Sequence, residues 1–184
     1  TAEAGGVWAG VLGGERGGGG EVGGVNPAGA APTRSAFGGS DDWQPFWSQD
    51  GDKLGFMAYR NGVGDLYVKT VNGTAPEVPL VTSGEQKVPG DWSPDGKFVA
   101  YWIERAETRG DVWVSPLDGG RPPLPRTQPK FNERRPRFSP DGRFLAHGSD
   151  DTWVDGVHGQ AFPATSGHRQ GARGGGTGRH RAGR

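Results

Sequence analysis

The sequence predicts an all-β fold made of tandem copies of one unit, from a repeated motif, its turn chemistry and matching columns of residues after it. The motif copies are Trp47-Ser48-Gln49-Asp50-Gly51, Trp92-Ser93-Pro94-Asp95-Gly96 and Phe138-Ser139-Pro140-Asp141-Gly142. Asp95 lies 45 residues after Asp50, and Asp141 lies 46 residues after Asp95. A fixed period of this length indicates one supersecondary unit copied in tandem, because a single copy cannot bury both of its apolar faces.

Each motif has the composition of a tight hairpin turn. Pro94 and Pro140 fix φ at the first turn position, where the first copy has Gln49, and the final Gly supplies positive φ. We therefore predict a type I turn followed by a bulge at each copy. Metal-binding or catalytic roles are conceivable for the three motif aspartates, but their place in the turn favours hydrogen bonds from the turn itself.

Matching columns of residues predict the strand that follows each motif. Five residues after each motif Asp stands a small residue, and six residues after it stands a ring. The small column is Gly55, Ala100 and Ala146, and the ring column is Phe56, Tyr101 and His147. We expect strands sandwiched between neighbouring sheets, where a small residue leaves room for a neighbour's ring.

Further strands complete each unit. Strands are predicted at 65–68 and 111–114, with turns at Asn72-Gly73 and Asp118-Gly119-Gly120. A short fourth strand is predicted at 78–82, whereas the prolines of 122–125 permit only an edge strand or none. In the third unit, Gly156 and Gly159 predict a frayed or corrupted strand, since each Gly costs roughly 0.5–1 kcal/mol.

Four short antiparallel strands per unit are typical of a β-propeller blade. The segment Trp92 to Lys97 matches the Trp-Ser-Pro-Asp-Gly-Lys blade signature, and residues 42–167 resemble the TolB-like, WD-repeat-like bacterial β-propellers. Residues 131–134, the third motif and residues 162–167 are most similar to the propellers behind the catalytic domain of bacterial serine/threonine protein kinases. The resemblance implies a partial propeller of about three four-stranded antiparallel blades.

Composition divides the chain into three parts. Residues 1–40 are rich in Gly and Ala, and residues 168–184 in Gly and Arg, so we predict disorder at both ends. The blades are assigned to about 42–87, 88–130 and 131–167, within a folded part of 41–167. Propellers close with roughly 4–8 blades, so we expect a fragment of a longer propeller. Frame-shifted translation is a second explanation for the Gly-rich and Arg-rich ends.

Composition also narrows the partners. The 184 residues include 21 basic and 21 acidic residues and no Cys. The absence of Cys excludes disulfides and thiolate zinc sites. A formal net charge of zero gives no general attraction to nucleic acid, and no apolar run approaches the roughly 18 residues of a membrane span. We therefore expect neither a nucleic-acid partner nor a membrane segment in this chain.

No catalytic, metal or cofactor motif is recognisable. The four histidines lack zinc spacing, and His147 occupies the ring column. There is no Gly-x-Ser-x-Gly elbow, phosphate loop or kinase signature. The tail arginines lack the interleaved aromatic residues of RNA-binding segments. We predict no catalytic residues, no metal and no cofactor.

The predicted function is therefore a non-catalytic binding or sensing platform for a protein or peptide, within a larger protein such as a bacterial serine/threonine kinase. Two alternatives are the gating propeller of a prolyl-oligopeptidase-family peptidase and a periplasmic TolB-like interaction protein. Self-association through open blade edges is also expected. Trp43 and Trp102 lie outside the small column and the ring column, and they are candidates for a binding surface at a channel mouth. The other binding residues and the compartment stay undetermined.

Overall fold

The structure is a computed structural model that describes residues 41–163 apart from 72–73, 107–108, 128–130 and 152–154, together with the backbone of four strands within residues 2–34. In this described part the molecule is all-β. None of the described residues forms a helix long and apolar enough to cross a membrane.

Four antiparallel sheets follow one another along the chain, each with its strands side by side in chain order. The N-terminal sheet contains β1 (Ala2–Ala4), β2 (Val7–Gly13), β3 (Gly20–Val25) and β4 (Thr33–Arg34). Blade 1 contains β5 (Asp42–Trp47), β6 (Lys53–Tyr59), β7 (Gly64–Thr70) and β8 (Val78–Val81). Blade 2 contains β9 (Gln86–Trp92), β10 (Phe98–Glu104), β11 (Asp111–Pro116) and β12 (Leu124–Pro125). Blade 3 contains β13 (Arg134–Phe138), β14 (Phe144–Ser149) and β15 (Gly156–Ala161).

The blades stack through alternate side chains of their second strands. The first strands β5, β9 and β13 contact one another in that order and form the inner side of the stack. On β10, Tyr101 belongs to one buried cluster with Met57 and Leu66 of blade 1, whereas Ala100 belongs to another with Leu145 of blade 3. A strand has side-chain period 2, so one strand supplies both interfaces. The sandwich arrangement predicted from the columns is therefore present.

In blade 1 the small column makes room for a ring of the same sheet, whereas the prediction was a ring of a neighbouring sheet. A Cβ on Gly55 would lie 2.4 Å from Cζ of Phe46, which belongs to the neighbouring strand of the same sheet. The Phe46 ring then contacts Trp92 of blade 2, with 5.7 Å between ring centroids. The glycine makes room for a ring of its own blade, and that ring reaches the next blade.

The strand predicted to be frayed in blade 3 is formed. β15 pairs with β14 over six residue pairs, from Phe144 opposite Ala161 to Ser149 opposite Gly156. A complete hydrogen-bonded ladder with a neighbouring strand outweighs the entropic cost of two glycines. The proline-rich counterpart in blade 2 is a two-residue edge strand, β12.

The four strands of the N-terminal sheet, within residues 2–34, are joined by backbone pairing. β2 and β3 pair from Trp8 opposite Val25 to Gly13 opposite Gly20, and both strands lie against β5. An antiparallel ladder satisfies backbone N–H and C=O groups and does not require large side chains. The strand order of this sheet equals that of blades 1 and 2.

Two predictions lie outside the described residues, namely the turn at Asn72-Gly73 and the disordered tail 168–184. The predicted unit boundary between residues 87 and 88 lies inside β9, which begins at Gln86.

Candidate functional site

The three motif turns share one hydrogen-bond pattern. In each turn the Gly N–H donates to the motif Ser carbonyl, at 3.0, 2.9 and 2.8 Å in chain order. Gly51, Gly96 and Gly142 have φ of 73°, 72° and 68°. This is a type I turn followed by a glycine in the left-handed region. The backbone thus matches the turn chemistry read from the sequence.

The motif aspartates accept hydrogen bonds within their own turns. Asp95 Oδ1 accepts from Ser93 Oγ at 2.7 Å and from Lys97 N at 3.1 Å. Asp141 Oδ1 accepts from Ser139 Oγ at 2.6 Å and from Arg143 N at 3.0 Å. Asp50 has the equivalent partners in Ser48 and Asp52. Each of these carboxylates holds the turn of its own blade, and adjacent turns share surface clefts, one lined by Asp50 and Asp95 and another by Asp95 and Asp141.

These hydrogen bonds hold the carboxylates in the charged form. The Ser139 hydroxyl, followed by the Arg143 backbone and side chain, lowers the pKa of Asp141. The Ser48 hydroxyl does most to lower the pKa of Asp50. Burial opposes this effect at Asp95, but the hydrogen bonds from Ser93 and Lys97 still lower its pKa. A general acid would need the opposite shift at neutral pH.

The aromatic residues of the motif are part of the core. Trp47, Trp92 and Phe138 are all buried. Trp92 also donates from Nε1 to the Gly96 carbonyl at 3.3 Å, which ties the strand end to its turn. The Phe138 ring meets Phe162 edge-on, with 5.1 Å between centroids. The repeated aromatic residues are therefore part of the scaffold.

The two candidate tryptophans have different surroundings. Trp43 lies on the inner strand β5 and is 39% exposed, so its ring is available to a partner. Trp102 is only partly exposed and packs against both buried clusters of blade 2. Of the two, Trp43 keeps the properties expected of a binding residue.

His147 is buried beside other titratable groups. Its ring stacks on His158 with 5.8 Å between centroids, and its Nε2 lies 4.0 Å from Glu133 Oε1. His158 Nε2 lies 3.1 Å from Asp151 Oδ1. No three of the His, Asp and Glu residues in the described ranges are grouped as metal ligands.

Buried charges mark the blade junctions. Eight residues before each motif Asp stands a buried ionisable residue, namely Asp42, Lys87 and Glu133. Lys87 Nζ lies 2.6 Å from Asp65 Oδ1 of blade 1, and the two side chains are 1% and 4% exposed. Lys87 also donates to the carbonyl of Ser83 at 3.3 Å. Oppositely charged side chains therefore connect blades 1 and 2.

The junction between blades 2 and 3 has an acid at the position of Lys87. Burial raises the pKa of Glu133, a hydrogen bond from Thr127 opposes the rise, and Asp111 and Asp151 add to it. Asp111 pairs instead with Arg105, which also binds Glu85 at 2.6 Å. Burial of Glu133 therefore makes the second junction sensitive to protonation of this carboxyl group.

The face of blade 3 that points away from blade 2 has no neighbouring blade among the described residues. Leu66 of blade 1 and Val112 of blade 2 hold equivalent positions and are each 0% exposed, because the next blade covers them. Val157 holds this position in blade 3 and is 85% exposed. Phe144 on the same face is 50% exposed. The described residues therefore leave an apolar face of blade 3 uncovered.

A cleft of about 370 Å³ opens on blade 3. Its walls include Arg134, Arg135 and Arg137 of β13, and Gly148 and Val157 contribute to its floor. We call it the blade-3 cleft. The sequence analysis did not identify it, although three arginines within four residues were a usable signal.

The chain was compared with protein families, curated proteins and solved structures, and only solved structures match it. No family model and no curated protein matches this chain. Among solved structures, it is similar to a putative TolB from Agrobacterium tumefaciens at 21% identity and a TM-score of 0.71, covering 86% of this chain and 58% of that one. TolB from Acinetobacter baumannii gives 18% identity and a TM-score of 0.72, covering 86% and 39%.

The fold is a TolB-like β-propeller. A prolyl endopeptidase structure is similar at 14% identity and a TM-score of 0.61, covering 90% of this chain and 28% of that one. The propeller domain of the Trilobed protease from Pyrococcus furiosus is similar at 13% identity and a TM-score of 0.56, covering 80% and 46%. The chain spans 58% and 39% of the lengths of the two TolB structures.

Proposed function

We propose that this chain is a non-catalytic binding platform for a protein or peptide. The observation that carries the proposal is the contrast between repeated and unrepeated residues. The motif side chains are engaged in their own turns and core, whereas the exposed aromatic, apolar and basic groups on the inner strands and on blade 3 lie outside the motif. Propeller folds present such residues from a rigid scaffold, and the fold alone does not specify the ligand.

A peptide array tests the binding role. Immobilised peptides of varied charge and hydrophobicity are probed with the purified 184-residue chain. We expect a subset to bind, and we expect Trp43→Ala to weaken part of that subset because Trp43 is exposed on an inner strand. Uniform absence of binding above an unrelated propeller control would contradict the proposal.

For the parent protein, we propose a bacterial serine/threonine kinase with this propeller behind its catalytic domain. The likeness of residues 131–134 and 162–167 to such propellers supports this assignment. DNA sequencing on both sides of the coding region, read in all frames, tests it. A kinase domain upstream is the expected result.

A second candidate is the gating propeller of a prolyl-oligopeptidase-family enzyme. The structural similarity to a prolyl endopeptidase favours it. This candidate requires an α/β-hydrolase domain downstream, so the same sequencing separates it from the kinase. In both cases the chain itself makes and breaks no bond.

A further inference from the structure

We infer that the blade-3 cleft binds the carboxylates of an acidic peptide segment that also carries apolar side chains. This inference rests on the proposed binding function and names its class of partner.

The charge of the cleft is the first observation. Three arginines, Arg134, Arg135 and Arg137, face it, against the single carboxylate of Asp155. The whole chain has a formal net charge of zero, so this local excess is not a general property of its surface. Arginine forms bidentate hydrogen bonds with carboxylates, and its five donors exceed what one internal partner can use.

The existing contacts of Arg135 and Arg137 leave some of their N–H donors free to bind a ligand. Arg137 is 64% exposed, donates from Nη1 to the Gly90 carbonyl, and lies 3.9 Å from Asp91 Oδ1. Arg135 is exposed, and within the described ranges it has no ion-pair partner. An exposed guanidinium next to a cleft is therefore available to an incoming carboxylate.

The backbone directs Arg135 through a bulge. The pairing of β13 with β14 shifts register between Arg134 and Arg137, and Arg135 has φ of 56°. Non-glycine residues rarely occupy this region and do so mainly where the surrounding structure holds them there, and β-bulges redirect side chains next to binding sites. Gln44 takes the same conformation in blade 1, at φ of 52°. The bulge thus recurs, but only blade 3 places an arginine on it.

The floor of the cleft explains why we favour a peptide. Seven residues after each motif Asp stand Met57, Trp102 and Gly148, so a large side chain is missing in blade 3 alone. A Cβ on Gly148 would have its nearest neighbour at 3.6 Å, the Arg134 carbonyl. Beside this space Val157 is 85% exposed. A free phosphate would use the arginines and leave the apolar floor in water, whereas an acidic peptide with aliphatic side chains covers both.

Fluorescence anisotropy tests the inference with a labelled peptide of alternating Glu and Val. The Arg135→Gln/Arg137→Gln variant removes charge at two exposed positions, and Gly148→Met fills the cleft with the residue of blade 1. We expect each change to raise the dissociation constant about tenfold or more. Arg121→Gln, which removes an arginine that is 57% exposed on blade 2, is the matched control and should bind as the unaltered chain does.

The outcomes separate the inference from the proposed function. Unchanged affinity in both cleft variants, or an equal loss in the Arg121 control, overturns the acidic-peptide site. If the array instead yields neutral or basic peptides, the inference fails and the binding role stands. If no peptide binds in either experiment, both fail. Thermal unfolding of every variant checks that folding is retained, and the arginine variant keeps the test decisive if Gly148→Met does not fold.

Discussion

Single residues in this molecule are constrained according to whether other side chains cover their position. Gly55 and Gly159 both lie in strands, yet a side chain on Gly55 would collide with the Phe46 ring, whereas a Cβ on Gly159 meets nothing within 4 Å. Protein interiors are packed at crystal-like density, so an added methyl group is tolerated only where space exists. The same residue type is therefore essential at one position and replaceable at the other.

Gly55→Val should destabilise the chain by about 1–3 kcal/mol, because overpacking displaces Phe46 from its contact with Trp92. Gly159→Ala is the control and should leave stability nearly unchanged, since its β-strand backbone has room for the methyl group. Urea denaturation followed by tryptophan fluorescence measures both. Equal effects of the two changes would contradict this packing.

Titration provides a second test at the residue scale. The pKa of Glu133 is raised, so its stabilising effect is fully present below the unfolded value of 4.5 and is lost as pH rises through its folded pKa. Glu133→Gln cannot ionise at this position, so we expect it to avoid this loss of stability. The stability of the variant relative to the unaltered chain should therefore increase from pH 4.5 towards neutrality.

Asp141 is a control, because its pKa shift and its effect on stability with pH are opposite in sign to those of Glu133. Its pKa is lowered, so it contributes stability above the unfolded value of 3.8 that disappears as pH falls through its folded pKa. Asp141→Asn should therefore destabilise at neutral pH and have little effect in strong acid. Unfolding midpoints measured from acid to neutral pH would show both slopes. Slopes of the same sign would refute the assignment of the two environments.

Backbone hydrogen bonds join the strands of each blade. Apolar packing joins adjacent blades, and a buried ion pair also connects blades 1 and 2. The Lys87–Asp65 pair is almost fully buried, whereas the Lys97–Asp95 pair has side chains that are 73% and 51% exposed. Burial removes water that would otherwise solvate a charge, so loss of one partner is costly in the first pair only.

Lys87→Ala should cost about 3–5 kcal/mol, because it leaves Asp65 charged and buried without its partner. Combining Lys87→Met with Asp65→Asn should recover part of this loss, since the amide oxygen can still accept from Ser83 N. Lys97→Ala is the exposed control, with an expected cost of about 0–1 kcal/mol. Chemical denaturation of all variants measures the coupling, and additive effects at Lys87 and Asp65 would show that the two residues do not interact.

The molecule as a whole is a stack of blades with an open apolar face at blade 3. Val157 is exposed where Leu66 and Val112 are covered, and Phe144 is exposed where Phe98 of blade 2 is partly covered. A face built for a neighbour associates with what is available, including a second copy, because burial of apolar area is favourable regardless of its source.

Sedimentation velocity should therefore show concentration-dependent self-association. Full burial of one valine is worth about 1.5–3 kcal/mol, so Val157→Ser should raise the dissociation constant about tenfold or more. Leu124→Ser is the control, because Leu124 is 46% exposed on the edge strand β12, away from the open face. A strictly monomeric chain at all concentrations would rule out this use of the face.

The sequence by itself determined the blades of this protein, because the turn motif and the small and ring columns are local signals that repeat. Asp95 and Gly96 specify their turn whatever surrounds them. Tertiary structure alone decided which positions are covered. Val112 and Val157 are the same residue type at equivalent places, and only the presence of a next blade distinguishes them. The blade-3 cleft also depends on the missing side chain at Gly148 and on the bulge at Arg135.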